Sequence, residues 1–236
     1  MEEVQYEEPV YEEPVYEEEM YADEVEETAS VEEILREMII NGVDSKADRE
    51  HPLKGMKIVV DAGNGAGGFY AYDVLEPLGA DISGSVFLEP DGNFPNHAPN
   101  PENAEAMACV SKATIDADAD FGVIFDTDVD RAACVGKGGF EINRNRLVAL
   151  ASKVALDSCK GGTIVTDSVT SDGLAEFIKA SGGVHLRFKR GYRNVINKQI
   201  ELEKSGVKCP LAMETSGHAA FAENYYLDDG AYLITK

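Results

Sequence analysis

Residues 121–131 read FGVIFDTDVDR, a short apolar run that passes directly into three aspartates at alternate positions. The run predicts a buried strand, and a loop at its carboxyl end would let Asp126, Asp128 and Asp130 converge on one point. Converging carboxylates repel one another unless a cation lies among them. Ligation by oxygen alone favours a hard cation such as Mg²⁺, Mn²⁺ or Ca²⁺. The stretch therefore predicts a metal loop, and a solvated acidic turn is the alternative.

Short strands and helices alternate around this stretch. The predicted strands are residues 57–61, 163–167 and 184–188, and the predicted helices are residues 71–78, 145–157 and 172–181. Strands that alternate with helices indicate an α/β fold, with a parallel or mixed sheet covered by helices. The glycine pair at residues 161–162 predicts a boundary between two domains, residues 53–160 and 161–236. The last ten residues resemble the beginning of a helix, which suggests a piece of a longer protein.

The amino-terminal part of the chain has a different character. Residues 1–29 are an acidic repeat of tyrosine, glutamate, proline and valine, and they are predicted to be disordered because their charges repel and their few apolar side chains cannot form a core. This tail is either solvated or an arm that binds a protein partner, with a tyrosine-phosphorylated docking segment as the sharper alternative. Residues 30–52 are predicted to be a helix and a linker. Ser30 would be the N-cap, Glu33 its capping-box partner, and Gly42 the end of the helix.

The net charge of −23 is concentrated in that tail. Fifteen acidic residues and no lysine or arginine lie in residues 1–33, so the rest of the chain carries only −8. Without a basic patch interleaved with aromatic residues, nucleic acid is not expected as a partner, and no apolar run approaches the roughly 20 residues of a membrane span. The four cysteines are far apart with no CxxC pair, which favours reduced thiols. No targeting peptide is visible, so a cytoplasmic or plastid-stromal location is expected.

Three further motifs could form a binding site. Residues 63–68 (GNGAGG) fit the GxGxxG pattern but lack the acid that a dinucleotide site needs, so a tight structural turn is favoured. Residues 213–218 (METSGH) place a carboxylate, a hydroxyl and an imidazole on one turn, which suits adjacent sugar hydroxyls; a capping turn with an incidental histidine is the alternative. The basic residues of RFKRGYR, residues 187–193, would hold a phosphate, or they form a solvated basic face.

Four motifs, and the order in which they occur along the chain, resemble the α-D-phosphohexomutase superfamily, which includes phosphoglucomutase and phosphomannomutase. They are VVDAGNGAGG, EPDGNFPNHAPNPE, DTDVDR and ETSGH, and the resemblance runs from about Pro52 to Lys236. The spellings DTDVDR and KRGYRN are most similar to plant and algal members. The resemblance implies the second and third of the family's four domains. The expected fold class is therefore α/β: two three-layer α/β/α domains with small mixed sheets, preceded by the disordered acidic tail.

The resemblance also implies roles for individual residues. Asp126, Asp128 and Asp130 would hold Mg²⁺ beside the phosphate of an active-site phosphoserine, with Arg131 next to it. Glu214 and Ser216 would bind the hydroxyls of a hexose phosphate, with His218 close by. A sugar-discriminating loop would comprise Lys189, Arg190, Gly191, Tyr192 and Arg193. Many mannose-accepting members have histidine where this chain has Tyr192, so glucose is favoured over mannose.

The implied reaction is intramolecular phosphoryl transfer between the 1- and 6-positions of a hexose phosphate, through a bisphosphorylated sugar. The family's phosphoserine lies in its first domain, and the only similar stretch here, Thr28-Ala29-Ser30, opens the predicted helix, so Ser30 is interpreted as a cap. The sequence has no counterpart of the family's fourth domain, which clamps the substrate phosphate. Some members carry a lysine after the first strand of the third domain, and TDSVTSD (residues 166–172) has none there. We therefore expect a mutase fragment, an isomerase by resemblance, that is inactive alone.

Two other functions stay open at this point. A magnesium-dependent phosphatase of the haloacid-dehalogenase type would use Asp126 as nucleophile and Asp128 as acid/base, with Thr166 on the phosphate and Asp228 and Asp229 as distal metal ligands. That hypothesis leaves ETSGH and EPDGNFPNHAPNPE without a role. A non-enzymatic binding protein on a degenerate mutase core would present the acidic tail to a protein partner.

Overall fold

The computed structural model describes residues 29–42 and 48–236, so the predicted acidic tail, except for Ala29, lies outside the described residues. The helices are α1 (Val31–Gly42), α2 (Ala104–Asp116), α3 (Asn145–Ser158), α4 (Asp172–Ala180), α5 (Tyr192–Lys204) and α6 (Gly230–Thr235). The strands are β1 (Ile58–Asp61), β2 (Phe121–Phe125), β3 (Ala132–Gly136), β4 (Phe140–Ile142), β5 (Thr163–Thr166), β6 (Val184–Arg187), β7 (Leu211–Met213) and β8 (Ala219–Phe221). None of the helices in these ranges is long and apolar enough to cross a membrane.

The first sheet has the strand order β1-β2-β3-β4 and mixed direction. β1 and β2 are parallel because α2 crosses over between them, whereas β2, β3 and β4 follow as an antiparallel meander. All four residues of β1 are buried, as expected for a strand that is covered on both faces. The triple-aspartate loop connects β2 to β3 at the carboxyl end of β2.

The second sheet has the order β6-β5-β7-β8, in which β5 is parallel to β6 and β7, and β8 is antiparallel to β7. Helices α4 and α5 make the crossovers. Helix α3 precedes the expected domain boundary at Gly161, yet it packs against α4 and β7 of this second half. The ETSGH turn connects β7 to β8. The sequence prediction of two small mixed sheets flanked by helices is confirmed.

One hydrophobic core extends through both halves. Tyr70 packs edge to face on Phe125 with 5.3 Å between ring centroids, and its hydroxyl lies 3.0 Å from the hydroxyl of Thr235 in α6. Helix α6 therefore follows the second sheet in sequence but packs against β3 and α1 of the first half. A backbone bridge between Arg131 and His218 joins the two strand-end loops directly. The fold thus places the triple-aspartate loop beside the ETSGH turn.

Helix α1 begins with the predicted capping box. The Glu33 amide donates to the Ser30 hydroxyl over 3.2 Å, and the Ser30 amide donates to the Glu33 carboxylate over 2.8 Å. Ser30 is thereby confirmed as a helix cap.

The helix predicted at residues 71–78 is instead a short π-helix, Tyr70–Leu75, followed by turns. Pro77 has no N–H to donate to the carbonyl of Asp73 four residues earlier, so the α-helical ladder cannot continue. The guanidinium of Arg36 in α1 donates to that Asp73 carbonyl in its place. The Glu76 amide bonds five residues back to Ala71, which gives the wider turn.

Candidate functional site

The loop after β2 gathers the three predicted carboxylates. Asp126, Asp128 and Asp130 each have one carboxylate oxygen that lies within 4.8 Å of the corresponding oxygens of the other two. Asp126 is buried, Asp130 is half-buried and Asp128 is exposed, so the cluster opens to solvent on one side. Val129 has a φ of +68°, a strained value for a β-branched residue, which marks a tight turn between the last two aspartates.

The charges of this loop are only partly balanced. The Arg131 amide and Nε donate to the two oxygens of Asp126 over 3.1 and 2.9 Å. Among the described residues, the buried Oδ1 of Asp130 accepts no hydrogen bond. Burial raises the pKa of Asp126, and the neighbouring Asp130 adds to that increase. In the described part of the chain, that Asp130 oxygen has only the longer contact of 3.5 Å with Arg131 Nε. An all-oxygen cluster with surplus negative charge fits a hard divalent cation.

Two glycines let other elements approach this loop. The Ala66 amide donates to the Thr127 carbonyl over 2.9 Å, and a Cβ on Gly65 would lie 2.7 Å from the same oxygen. The Gly230 amide, at the start of α6, donates to the Val129 carbonyl over 2.8 Å, and a Cβ there would also lie 2.8 Å from that oxygen. The GxGxxG stretch is therefore a packing turn beneath the metal loop. Sequence reasoning predicted the turn and the loop but not the contact between them.

The stretch EPDGNFPNHAPNPE runs past both walls of the site. Its Asn100 carboxamide oxygen accepts from Arg131 Nη1 over 3.3 Å, and its Glu102 carboxylate lies 3.5 Å from Arg190 Nη2. Neither residue was singled out from the sequence. Asn100 helps to orient the arginine beside the metal loop, and Glu102 contacts the sugar-discriminating loop predicted at residues 189–193.

That predicted loop meets the ETSGH turn through its backbone. The Gly191 amide donates to Glu214 Oε1 over 2.5 Å, and the Ser216 hydroxyl donates to Glu214 Oε2 over 3.4 Å. Burial raises the pKa of Glu214, although the Gly191 hydrogen bond opposes the increase. Lys189, Arg190 and Arg193 have exposed side chains on the same loop. The cations of the basic cluster therefore remain accessible to a phosphate.

His218 lies where the two halves meet. Its Nδ1 lies 2.7 Å from an oxygen of Asp228 and 3.6 Å from an oxygen of Asp130, and its ring stacks on Tyr192 with 4.9 Å between centroids. Burial alone would lower the pKa of His218, but the hydrogen bond and charge of Asp228, together with Asp130, outweigh it and raise that pKa. Arg193 Nε donates to the Tyr192 hydroxyl over 3.1 Å. An imidazole oriented by a carboxylate can exchange a proton with a bound hydroxyl.

Sequence reasoning did not identify Asp167 at the end of β5. It is fully buried and accepts from the amide and hydroxyl of Thr215 over 3.2 and 2.8 Å, which fixes the ETSGH turn. An acid directly after a buried strand is the same signal that marked Asp126. Thr166 is also fully buried, and its hydroxyl lies 2.7 Å from His185 Nε2, so it cannot bind the phosphate that the phosphatase hypothesis required of it.

Comparison with known proteins agrees with this arrangement. Residues 31–139 match the family model described as phosphoglucomutase/phosphomannomutase, alpha/beta/alpha domain II, and residues 143–236 match domain III of the same family. A phosphomannomutase/phosphoglucomutase from Pseudomonas syringae pv. tomato is 38% identical over 182 residues, which cover 77% of this chain and 38% of that protein. A phosphoglucomutase from Neisseria gonorrhoeae is 35% identical over 178 residues, which cover 75% of this chain and 37% of that protein.

A solved structure shows the same fold. The phosphoglucomutase/phosphomannomutase family protein from Burkholderia thailandensis superposes with a TM-score of 0.72 at 33% identity, covering 87% of this chain and 42% of the other. The chain thus spans less than half the length of these relatives. With two successive domain models matched over nearly all the described residues, the chain belongs to the phosphoglucomutase/phosphomannomutase family, as its second and third α/β/α domains.

Proposed function

We propose that residues 52–236 form two walls of a phosphohexomutase active site, a metal wall and a sugar wall. The observation that carries the proposal is the junction of the two strand-end loops, where His218 lies between Asp130 of the metal loop and Tyr192 of the sugar loop. The reaction would be intramolecular phosphoryl transfer between the 1- and 6-positions of a hexose phosphate. The family resemblance assigns the phosphoserine and the phosphate clamp to domains other than these two.

On the metal wall, Asp126, Asp128 and Asp130 would hold Mg²⁺, and the buried Oδ1 of Asp130, which accepts no hydrogen bond from the described residues, would be one of its ligands. A bound Mg²⁺ supplies charge neutralisation for a transferring phosphoryl group. Hydrogen bonds to Asp126 and Asn100 hold the Arg131 guanidinium beside the triple-aspartate loop. An oriented guanidinium binds phosphate oxygens without reorganising during the reaction.

On the sugar wall, Glu214 and Ser216 would accept and donate hydrogen bonds to adjacent hydroxyls of the hexose. Glu214 is already aligned by the Gly191 amide, so the sugar loop and the ETSGH turn position it together. His218, oriented by Asp228, would exchange a proton with the reacting hydroxyl. The exposed Lys189, Arg190 and Arg193 would bind the distal phosphate, and Tyr192 would favour glucose over mannose.

A chimaera tests the proposal in a whole protein. The aligned 182-residue segment of the Pseudomonas syringae relative is replaced by the corresponding part of this chain, and turnover of glucose 1-phosphate is measured with Mg²⁺. We expect isomerisation that falls by about a hundredfold in Asp128→Asn, because charge stabilisation of the transferring phosphoryl group is lost. Asp116→Asn, an exposed aspartate on α2, is the matched control and should leave the rate unchanged. Turnover that is equal in the two variants would contradict the proposal.

An assay of the chain by itself distinguishes the mutase fragment from the phosphatase. It is incubated with Mg²⁺, glucose 1-phosphate and a trace of glucose 1,6-bisphosphate, and both glucose 6-phosphate and free phosphate are followed. We expect neither product. Sustained isomerisation would show that the nucleophile lies within this chain, and phosphate release that disappears in Asp126→Ala would favour the phosphatase.

A further inference from the structure

One cation of the predicted sugar loop pairs with a carboxylate from the other half of the chain. Arg190 Nη2 lies 3.5 Å from Oε1 of Glu102, which belongs to the segment leading into α2. Within the described residues, Lys189 and Arg193 of the same loop form no ion pair. The proposed function gives Arg190 to the distal phosphate of the substrate. Glu102 and that phosphate therefore compete for the same guanidinium.

The backbone of Glu102 is held on both sides. Its amide donates to Asn100 Oδ1 over 2.9 Å, and its carbonyl oxygen accepts from Arg144 Nη2 over 3.4 Å. The next residue, Asn103, caps α2 by accepting from two amides of the first turn. These contacts fix Glu102 where the two halves meet. Its carboxylate, on a side chain that is 29% exposed, therefore stays within reach of Arg190.

The contact between the two side chains is loose. Its length of 3.5 Å exceeds the roughly 2.7–2.9 Å of a charge-assisted hydrogen bond. The Arg190 side chain is 54% exposed, and an exposed ion pair contributes little because water screens it. A phosphate carries up to two negative charges and binds a guanidinium through two parallel hydrogen bonds, so it is the stronger partner. The geometry therefore suits an exchange of partners.

We propose that Glu102 sets the affinity of the sugar wall for phosphate, as a counter-ion that the distal phosphate of the substrate displaces from Arg190. In the exchange, one ion pair breaks and another forms, with no covalent change. The displaced carboxylate stays close by and repels the bound phosphate, which lowers the affinity. The inference rests on the proposed function, because that function assigns Arg190 to the distal phosphate. It adds a residue from the metal-wall half that controls binding on the sugar wall.

The test measures binding of glucose 1-phosphate to the purified chain without Mg²⁺ at pH 8, where the phosphate is a dianion. An NMR titration follows the Gly191 amide. Glu102→Gln removes the competing charge and should bind about two- to fivefold more tightly. Arg190→Ala should bind about tenfold more weakly, and the double variant should bind like Arg190→Ala because no guanidinium remains to compete for. Glu105→Gln removes the same charge from an exposed position on α2 and should match the unaltered chain.

Salt gives a second readout that a purely structural role of Glu102 would not change. Raising KCl from about 20 to about 200 mM should shrink the gain of Glu102→Gln, because screening weakens the repulsion that the substitution removes. A lower affinity in Glu102→Gln would show that Glu102 orients Arg190 for phosphate, and it would overturn the proposal. Equal affinity in Glu102→Gln and Glu105→Gln, an undiminished gain in the double variant, or no binding by any of these proteins would also overturn it.

The chimaera distinguishes failure of this inference from failure of the proposed function. An inactive chimaera, together with the expected order of affinities in the chain, would reject the mutase assignment and retain Glu102 as the competitor of phosphate. In an active chimaera, Glu102→Gln should lower the KM for glucose 1-phosphate. An active chimaera whose KM is unchanged by Glu102→Gln would reject the role of Glu102 and leave the mutase assignment intact.

Discussion

The substitution Gly65→Ala tests whether the glycine-rich turn supports the metal loop. The added Cβ would lie 2.7 Å from the Thr127 carbonyl oxygen, 2.9 Å from Thr127 Cα and 3.1 Å from the Asp126 carbonyl oxygen. An ordinary carbon–oxygen contact is about 3.4 Å, so the metal loop has to move by roughly 0.7 Å. Neither neighbour is a flexible side chain, since all three contacts are to backbone atoms. Overpacking of this kind costs about 1–3 kcal/mol of unfolding free energy.

The same displacement should weaken metal binding. Ligands have to lie within about 0.5 Å of their productive positions, so we expect the Mg²⁺ affinity to fall by about tenfold or more. Urea unfolding measures the first effect and calorimetric titration with Mg²⁺ measures the second. Gly92→Ala is the matched control, because a Cβ there meets nothing within 4 Å. The reasoning is refuted if Gly65→Ala behaves like Gly92→Ala in both assays, or if it loses stability but keeps the affinity.

Two other predictions concern the sugar wall. Burial raises the pKa of Glu214 in the folded chain above its usual 4.5. Just above pH 4.5, the folded chain therefore binds more protons than the unfolded chain. The unfolding free energy accordingly falls as the pH rises through this range. Glu214→Gln removes the dependence, so its unfolding free energy relative to the unaltered chain should increase from pH 4 to pH 7; a difference that is constant or shrinks would contradict the assignment. In the chimaera, Tyr192→His replaces the phenol, whose hydroxyl accepts from Arg193 Nε, with a smaller imidazole. It should lower the ratio of kcat/KM for glucose 1-phosphate over mannose 1-phosphate by about tenfold, a change equivalent to about one hydrogen bond. An unchanged ratio would remove Tyr192 from sugar selection.

Features encoded locally were predictable from the sequence. The convergence of three carboxylates follows from alternate acids directly after an apolar strand, and the start of α1 follows from Ser30 and Glu33 three residues apart. Both signals lie within one short stretch, where backbone geometry alone brings the groups together. The α/β class follows for the same reason, since each strand and helix carries its own hydrophobic pattern.

Contacts between distant segments were not predictable. Glu102 reaches Arg190 only because the two halves pack together, and Asp228 orients His218 only because the chain after β8 turns back to pair with that strand. Beside the π-helix at Tyr70–Leu75, Arg36 from a different helix donates to the Asp73 carbonyl, which Pro77 cannot pair. No pattern along a single chain shows which remote side chain supplies such a partner.

The most direct test of the metal wall is a calorimetric titration of the chain with Mg²⁺. Asp128 is the exposed member of the cluster, so Asp128→Asn removes one charge with little effect on folding. Asp116→Asn removes an exposed charge elsewhere and serves as the control. We predict binding of one Mg²⁺ by the unaltered chain and by Asp116→Asn, with an affinity at least about tenfold lower in Asp128→Asn. Equal affinity in all three proteins, or no binding by the unaltered chain, would contradict a metal site at the triple-aspartate loop.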